Sequence, residues 1–310
     1  MENDDVFLSD RESILVYSLK DGHLRRRIGQ RGQGPGEFII GPLSLTVVDD
    51  RLIAGDFRRI IIFSLQGDYL GQVREPALLG PYNFLPVGSN FVGFAMERQE
   101  DGSFSAPMGY IYNQEGKVLQ KFYRDMPVGA PPPPPPGGGA PTKKQDVPLI
   151  KDYTDYTVYK NRIYVADSRK GLFISVFDER GKFLYAIKPQ VEKIRVPKGL
   201  KDSFLQEAKA RNPQYWDFFN PVFPEFFPPF IGFKIDDDKI YVITPAQKDE
   251  KYEVIVMSLK GQILERSFCF PLKPQYDFLA VFNRTYDVEK DKFIWYAYNQ
   301  GKEYYELFIY

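Results

Sequence analysis

Cysteine and histidine are almost missing: Cys269 and His23 stand alone in a chain of 310 residues. A single thiol forms no internal disulfide and supplies no cysteine-based metal centre, so Cys269, in SFCFPL, reads as a small buried hydrophobe. A Ser-His-Asp relay or a histidine-rich zinc site needs imidazole in a cleft with partners, whereas His23 follows a turn glycine. Net charge is missing too, because 41 Lys plus Arg balance 41 Asp plus Glu. No global field therefore draws the chain to nucleic acid or to an anionic membrane. No apolar run reaches the roughly 20 residues of a membrane-spanning helix. The opening MENDDVFLSD is acidic, unlike a secretion signal.

What is present is a repeat. ILVYSLKDGHLRRRI (14–28), IIFSLQGDYLGQV (61–73), YIYNQEGKVLQKF (110–122), ISVFDERGKFLYAI (174–187) and VIVMSLKGQILERSF (254–268) align on Gly22, Gly67, Gly116, Gly181 and Gly261. Each is two β-prone runs around a two-residue turn whose glycine supplies the positive φ of a tight hairpin. Another strand precedes each hairpin: VFLSD, RLIAGD, FVGFAM, RIYVAD and KIYVIT. A sixth copy, KFIWYAYNQGKEYYELFIY (292–310), ends the chain. Repetition at this period predicts an all-β, six-bladed β-propeller with four-stranded blades, forming one domain over 1–310. At 43% hydrophobic and 16% aromatic, the composition can fill its core.

With strands labelled a to d from the axis outward, each hairpin is c–d and the preceding strand is b. Blade 1 then begins at b and blade 6 ends at c, an incomplete seam. We expect natural residues upstream of Met1, with room for a signal peptide. The a–b and c–d turns share one face of the disc and are short. The long segments 97–108, 123–155, 188–229 and 245–251 are all b–c or d–a connections, and loops elaborated on one face of a rigid scaffold usually bind something.

Residues 25–70, RRRIGQRGQGPGEFIIGPLSLTVVDDRLIAGDFRRIIIFSLQGDYL, resemble the NHL repeat, with its Ile-Gly, Gly-rich turn and Glu-Phe before a strand. RIYVADSRKGLFISVFDERGKFLYAI (162–187) is similar to the same unit, in its YVAD strand and VFDxxGxF hairpin. GQGPGEF (32–38) is similar to a motif of bacterial six-bladed propellers, many of them associated with the cell envelope. The resemblance implies the fold and an extracytoplasmic address, as a periplasmic protein or envelope lipoprotein. It leaves activity open, because such propellers include lyases, lactonases, RNA binders and scaffolds. Blades 3, 5 and 6 lack the Asp that ends strand b in the others.

Gly32, Gly34 and Gly36 suggest a phosphate cradle, but Pro35, Pro42 and β-branched residues follow where a dinucleotide or P-loop site needs a helix. The loop reads instead as the crossing from blade 1 to blade 2, with Phe38 wedged between them. Asp10, Asp56 and Asp167 end equivalent strands and are each followed by an arginine: Arg11, Arg58 and Arg169. They either cap the b–c turns or form an Asp/Arg ring that holds a polar ligand. Arg25, Arg26, Arg27 and Arg31 lie on an outermost strand, where charge guards an edge.

Two insertions interrupt the repeat. VGAPPPPPPGGGAPTKKQD (128–146) favours polyproline II followed by a flexible release, a solvated loop or a ligand for a proline-reading partner. In 198–229, Leu200, Phe204, Leu205 and Ala208 share a helical face that stops at Asn212-Pro213. Tyr215, Trp216, Phe219, Phe223 and Phe226 follow among prolines, either as a lid on the disc or as an aromatic wall for a ligand. The sequence thus favours a non-catalytic binding or scaffold module for a protein, peptide or glycan, without cofactor and with nucleic acid disfavoured. The alternatives are a metal-dependent lactonase or hydrolase, with calcium on oxygen ligands, and an RNA binder.

Overall fold

The computed structural model describes residues 5–48, 50–57, 59–74, 84–97, 100, 108–124, 144–211, 213–271, 286–289, 291–299 and 304–309. Six successive sheets make a six-bladed β-propeller. The first is β1 (Asp5–Ser9), β2 (Ile14–Ser18) and β3 (Leu24–Ile28). The second is β4 (Ser44–Val48), β5 (Arg51–Asp56), β6 (Arg59–Ser64) and β7 (Tyr69–Arg74). The third is β8 (Leu85–Val87), β9 (Asn90–Ala95), β10 (Met108–Tyr112) and β11 (Val118–Tyr123). Outside the blades, β12 (Gln145–Pro148) precedes the fourth sheet, β13 (Thr154–Tyr159), β14 (Arg162–Asp167), β15 (Ile174–Phe177) and β16 (Phe183–Ile187). Helix α1 (Lys198–Arg211) and β17 (Phe219–Val222) lead to the fifth, β18 (Gly232–Asp236), β19 (Lys239–Lys248), β20 (Lys251–Ser258) and β21 (Ile263–Pro271). The sixth is β22 (Tyr286–Glu289), β23 (Lys292–Asn299) and β24 (Tyr304–Ile309). In each sheet the spatial order of strands follows the chain, and the first and last hold three strands among the described residues.

Two compact units are distinguished: Met1–Met126 with Lys160–Ile163 and Phe177–Leu184, and Pro127–Tyr159 with Tyr164–Val176 and Tyr185–Tyr310. In both, the core is sliced between consecutive blades, because the inner strands are apolar on both faces and a lone sheet covers neither. In the first unit, Ile14, Val16 and Ile28 of blade 1 meet Leu52, Ile61 and Phe63 of blade 2, and Phe38 lies fully buried among them, 6.0 Å from the Phe63 ring. Ile53, Ile60 and Val73 then meet Phe91, Tyr110 and Tyr112 of blade 3. Phe94, Phe122 and Tyr123 of blade 3 reach Phe177 at ring distances of 5.0–6.1 Å. In the second unit, Tyr164, Ile174 and Val176 of blade 4 meet Phe233, Ile240 and Val242 of blade 5. Tyr241, Tyr252 and Phe270 of blade 5 meet Tyr286 and Phe293 of blade 6.

The c–d turns differ from the two-residue form expected. Gly116 donates to the Asn113 carbonyl at 3.0 Å and Asn113 to Lys117 at 3.0 Å, the pattern of a type I turn closed by a left-handed glycine. Ser64, Asp178 and Ser258 stand where Asn113 does, three residues before the glycine, with the same hydrogen bonds. The Asn113 and Asp178 carboxamide and carboxylate oxygens also accept the N–H groups of Lys117 and Lys182, both at 2.8 Å. All five hairpin glycines have positive φ. Four of them also abut the outermost strand of the preceding blade: Gly67 faces Ile28, Gly116 the Arg74 carbonyl, Gly181 Phe122, and Gly261 Ile187.

The two insertions meet. β12, at the end of the Pro/Gly-rich segment, pairs in parallel with β17, aligning Gln145 with Phe219 and Pro148 with Val222. Asn220 Nδ2 donates to Asp146 at 2.8 Å, and Lys144 Nζ to the Trp216 carbonyl at 2.7 Å. Prolines 148 and 221 are tolerated because each strand has a free edge. Gln145 and Asp146, expected in a loop, are therefore strand, while 128–143 lies outside the described residues. Segment 245–251, expected as a long connection, instead prolongs β19 and β20 around Asp249-Glu250, both at positive φ as a two-residue hairpin requires.

Adding a methyl group separates the two duties of the turn glycines. A Cβ on Gly181 would lie 2.5 Å from Phe122 Cβ, whereas one on Gly22 meets nothing within 4 Å. Urea titration should show Gly181→Ala costing about 2–4 kcal/mol, as strain plus overpacking, and Gly22→Ala about 1 kcal/mol, as strain alone. Equal losses would contradict interblade packing as the second duty.

Candidate functional site

The three aspartates that look equivalent in sequence are not equivalent in space. Asp10 is exposed, its N–H bonded to the Ser13 carbonyl, and Arg11 beside it is exposed too. Asp56 is buried and accepts from the N–H groups of Ile39 at 2.7 Å and Ile40 at 3.1 Å. Its cationic partner is Arg59, at 2.9 Å, with side-chain exposures of 4% and 0% for the pair. Arg58, a candidate for the Asp/Arg ring, lies outside the described residues. Arg59 also donates to the Glu37 carbonyl, so the pair pins the end of the Gly-rich loop at residues 37–40. Burial alone would raise the Asp56 carboxyl, but the Ile39, Phe57 and Ile40 amides and Arg59 outweigh it and hold it below the usual range.

The Gly-rich loop already encloses an anion of its own. Glu37 accepts from Gln30 Nε2 at 2.8 Å and from the Gly34 N–H at 2.7 Å, and these bonds keep its carboxyl low. A Cβ on Gly32 would collide with that carboxylate. Gly34 and Gly36 thus serve a turn wrapped on Glu37, with Phe38 driven into the core beneath.

Asp167, at the end of β14, is built differently. Fully buried, it accepts the Arg169 N–H at 3.1 Å, Arg169 Nε at 3.0 Å and Nη2 at 2.9 Å, and caps the short turn Ser168–Lys170. Ser168, also buried, donates to Asp152 at 2.6 Å and accepts the Tyr153 N–H at 3.0 Å, tying this turn to the chain entering β13. Arg169 and Lys170 are thereby held half-exposed at the mouth of a cleft of ≈ 750 Å³.

Four stretches line that cleft, 150–152, 168–173, 188–193 and 224–229, and each is a b–c or d–a connection. Five cations face it, Lys151, Arg169, Lys170, Lys188 and Lys193, against two carboxylates, Asp152 and Glu192. Desolvation holds the Lys151 ammonium below the ordinary lysine range. Two rings on the wall carry cations: Lys188 and Lys170 over Phe173 at 4.7 and 5.8 Å, and Arg195 and Lys193 over Phe226 at 5.2 and 5.7 Å. On the turn face, Lys160, Asn161 and Arg180 line a more open hollow of ≈ 430 Å³.

Of the residues singled out in the sequence, Arg169 and Phe226 come together in this cleft. Phe219 is buried in β17, and Phe223 packs half-buried on Ile150, Val196 and Phe227, with Leu200 of α1 in the same cluster. Trp216 is half-buried in the short turn Pro213–Asp217, and the Tyr215 side chain lies outside the described residues. The cleft lysines were missed because no sequence run links Lys151, Lys170, Lys188 and Lys193. Among the described residues, no three His, Cys, Asp or Glu side chains converge as a metal would need. No described helix is long and apolar enough to cross a membrane.

A family model described as a 6-bladed beta-propeller matches residues 1–128. No curated protein matches the chain in sequence. Among solved structures, "KlHsv2 with loop 6CD replaced by a Gly-Ser linker" is 7% identical at a TM-score of 0.40, over 100% of this chain and 82% of its own. Kluyveromyces lactis Hsv2 is 9% identical, with a TM-score of 0.37 over 99% and 94%. The Neurospora crassa Pan2 WD40 domain is 11% identical, with a TM-score of 0.36 over 82% of this chain and 55% of that one. At these values the likenesses carry nothing about ligand or activity.

Asp56→Asn should cost about 3–5 kcal/mol, because it leaves the Arg59 charge buried without its counter-ion. Since the folded carboxyl is held low, its contribution is present above the unfolded value of about 4 and is lost as pH falls through the folded one. Melting curves between neutrality and pH 3 should therefore be steeper for the native chain than for Asp56→Asn. Parallel curves would contradict this.

Proposed function

We propose that this chain is a non-catalytic binding or scaffold propeller of the NHL-like bacterial envelope type, and that it holds an anionic ligand in the cationic cleft of the second unit. One observation carries the reading. Two features singled out independently, the arginine after strand b of blade 4 and the aromatic insertion, converge in one cleft through Arg169 and Phe226. Two of the acidic groups there are engaged in building it, while Glu192 is exposed. Asp152 accepts from Ser168, and the buried Asp167 beneath holds Arg169, which fits binding better than acid-base chemistry. The cleft is also assembled on the face whose connections are long, where a rigid scaffold presents variable loops.

The test is calorimetric titration at low salt with two probes, an oligoglutamate and an oligogalacturonate. Lys188→Glu with Lys193→Glu reverses charge in the cleft without touching a buried group. Lys182→Glu with Lys260→Glu makes the same change on exposed c–d turns. At least one probe should bind the native chain and the turn variant, and the cleft variant should weaken it about tenfold or more. Binding of neither probe, or equal binding by both variants, would contradict the proposal.

A further inference from the structure

We infer that the anion taken by this cleft is an acidic peptide segment of a partner protein, in which carboxylates flank an apolar side chain. The inference rests on the cleft reading above and adds the class of ligand. Three observations favour a peptide over an anionic glycan.

The first is that the rings are not free for sugar stacking. A pyranose is recognised by laying its C–H face on a bare aromatic ring. Here Phe173 and Phe226 already carry two cations each within 5.8 Å, and the third ring of the wall, Phe227, is buried. Of those cations, Arg195 pairs with Glu225 at 2.6 Å and Lys170 with Asp167 at 3.4 Å, so it is Lys188 and Lys193, oriented by the ring faces, that the cleft presents to carboxylates.

The second is the donor set. Sugar hydroxyls both donate and accept, and a site for them needs planar amides and carboxylates in number. Gln190 is the single amide on the wall, and its carboxylates are two, Asp152, engaged by Ser168, and the exposed Glu192. Lysines predominate, and their flexible, separate point charges suit carboxylates spaced along a chain. The charge complementarity is thus to a ligand with several separate anions.

The third is the apolar wall. Ile150, Leu172, Val191 and Phe227 give the cleft a floor that a uronate has no group to fill, whereas a Phe or Leu side chain does. Prolines 189, 224, 228 and 229 stiffen the walls and lack N–H groups, so these stretches cannot add the peptide as a further strand. Side chains then carry the recognition, and affinity must fall with ionic strength.

The experiment uses the full chain and three probes: a peptide of Glu and Asp around one Phe, the same peptide with Ala for Phe, and a galacturonate oligomer. The Phe peptide should bind most tightly, weaken about tenfold or more when Phe becomes Ala or when Lys188 and Lys193 become Glu, and weaken further from about 50 mM to 500 mM salt. Tighter binding of galacturonate, lost in the same variant, would overturn the peptide assignment and leave the anion-binding cleft standing. Binding of none of the probes would overturn both. Peptide binding unchanged in the cleft variant would place it elsewhere and overturn the inference. A second variant, Phe226→Ala, should weaken the Phe peptide, and unchanged affinity would count against the ring-oriented cations.

Discussion

Burial of both faces of each inner blade strand is the constraint on which the rest of the structure depends. Leu52, Ile53, Ile60 and Ile61 of blade 2 point alternately toward blade 1 and blade 3, and all are buried. A four-stranded sheet cannot cover two apolar faces alone, so each blade needs neighbours set close against it. That closeness is why the hairpin glycine recurs. A type I turn with a left-handed closing residue could use Asn, but Asn would collide with the outermost strand of the preceding blade. Short turns and tight stacking are two sides of one requirement.

A scaffold held this way leaves its other connections free to vary. The a–b turns are knitted to one another, as when Gly88 donates to Asn161 and Lys239 pairs with Asp291. The b–c and d–a connections carry the additions: the loop wrapped on Glu37, the β12–β17 pair, α1 and the proline-walled cleft. Position in the blade alone does not decide what an aspartate does there. Asp56 turns inward and, with Arg59, secures a loop. Asp167 directs Arg169 and Lys170 outward and sets up a cationic mouth. The difference lies in the neighbouring chain, since Asp56 meets the Ile39 and Ile40 amides whereas Asp167 caps a short turn over Ser168.

The fold was legible because its signals are local and repeated. Strands such as RLIAGD and RIYVAD fall where their pattern puts them, and Phe38 occupies the interblade core that its loop suggested. The details that failed to show are those fixed by distant partners. β12 and β17 are four residues each, contain proline, and pair across about 74 positions, so neither carries a strand signal of its own. The candidate site was half legible. Arg169 and Phe226 stood out by repeat position and by aromatic density, but the lysines that set the charge of the cleft come from separate connections, and only folding gathers them. The buried pairing of Asp56 with Arg59 did not show in the sequence, because a strand pattern alone does not say which of its charged side chains turns inward.

The claim that unifies these points is that the elaborated connections of blade 4 and the aromatic insertion form one anion-binding cleft. Covalent footprinting of lysines reads this directly, comparing labelling rates with and without the acidic Phe peptide. The account predicts protection of Lys151, Lys170, Lys188 and Lys193 together, with Lys20, Lys182 and Lys260 on the c–d turns unchanged. Protection confined to the turn lysines, or none at the cleft under saturating peptide, would contradict it.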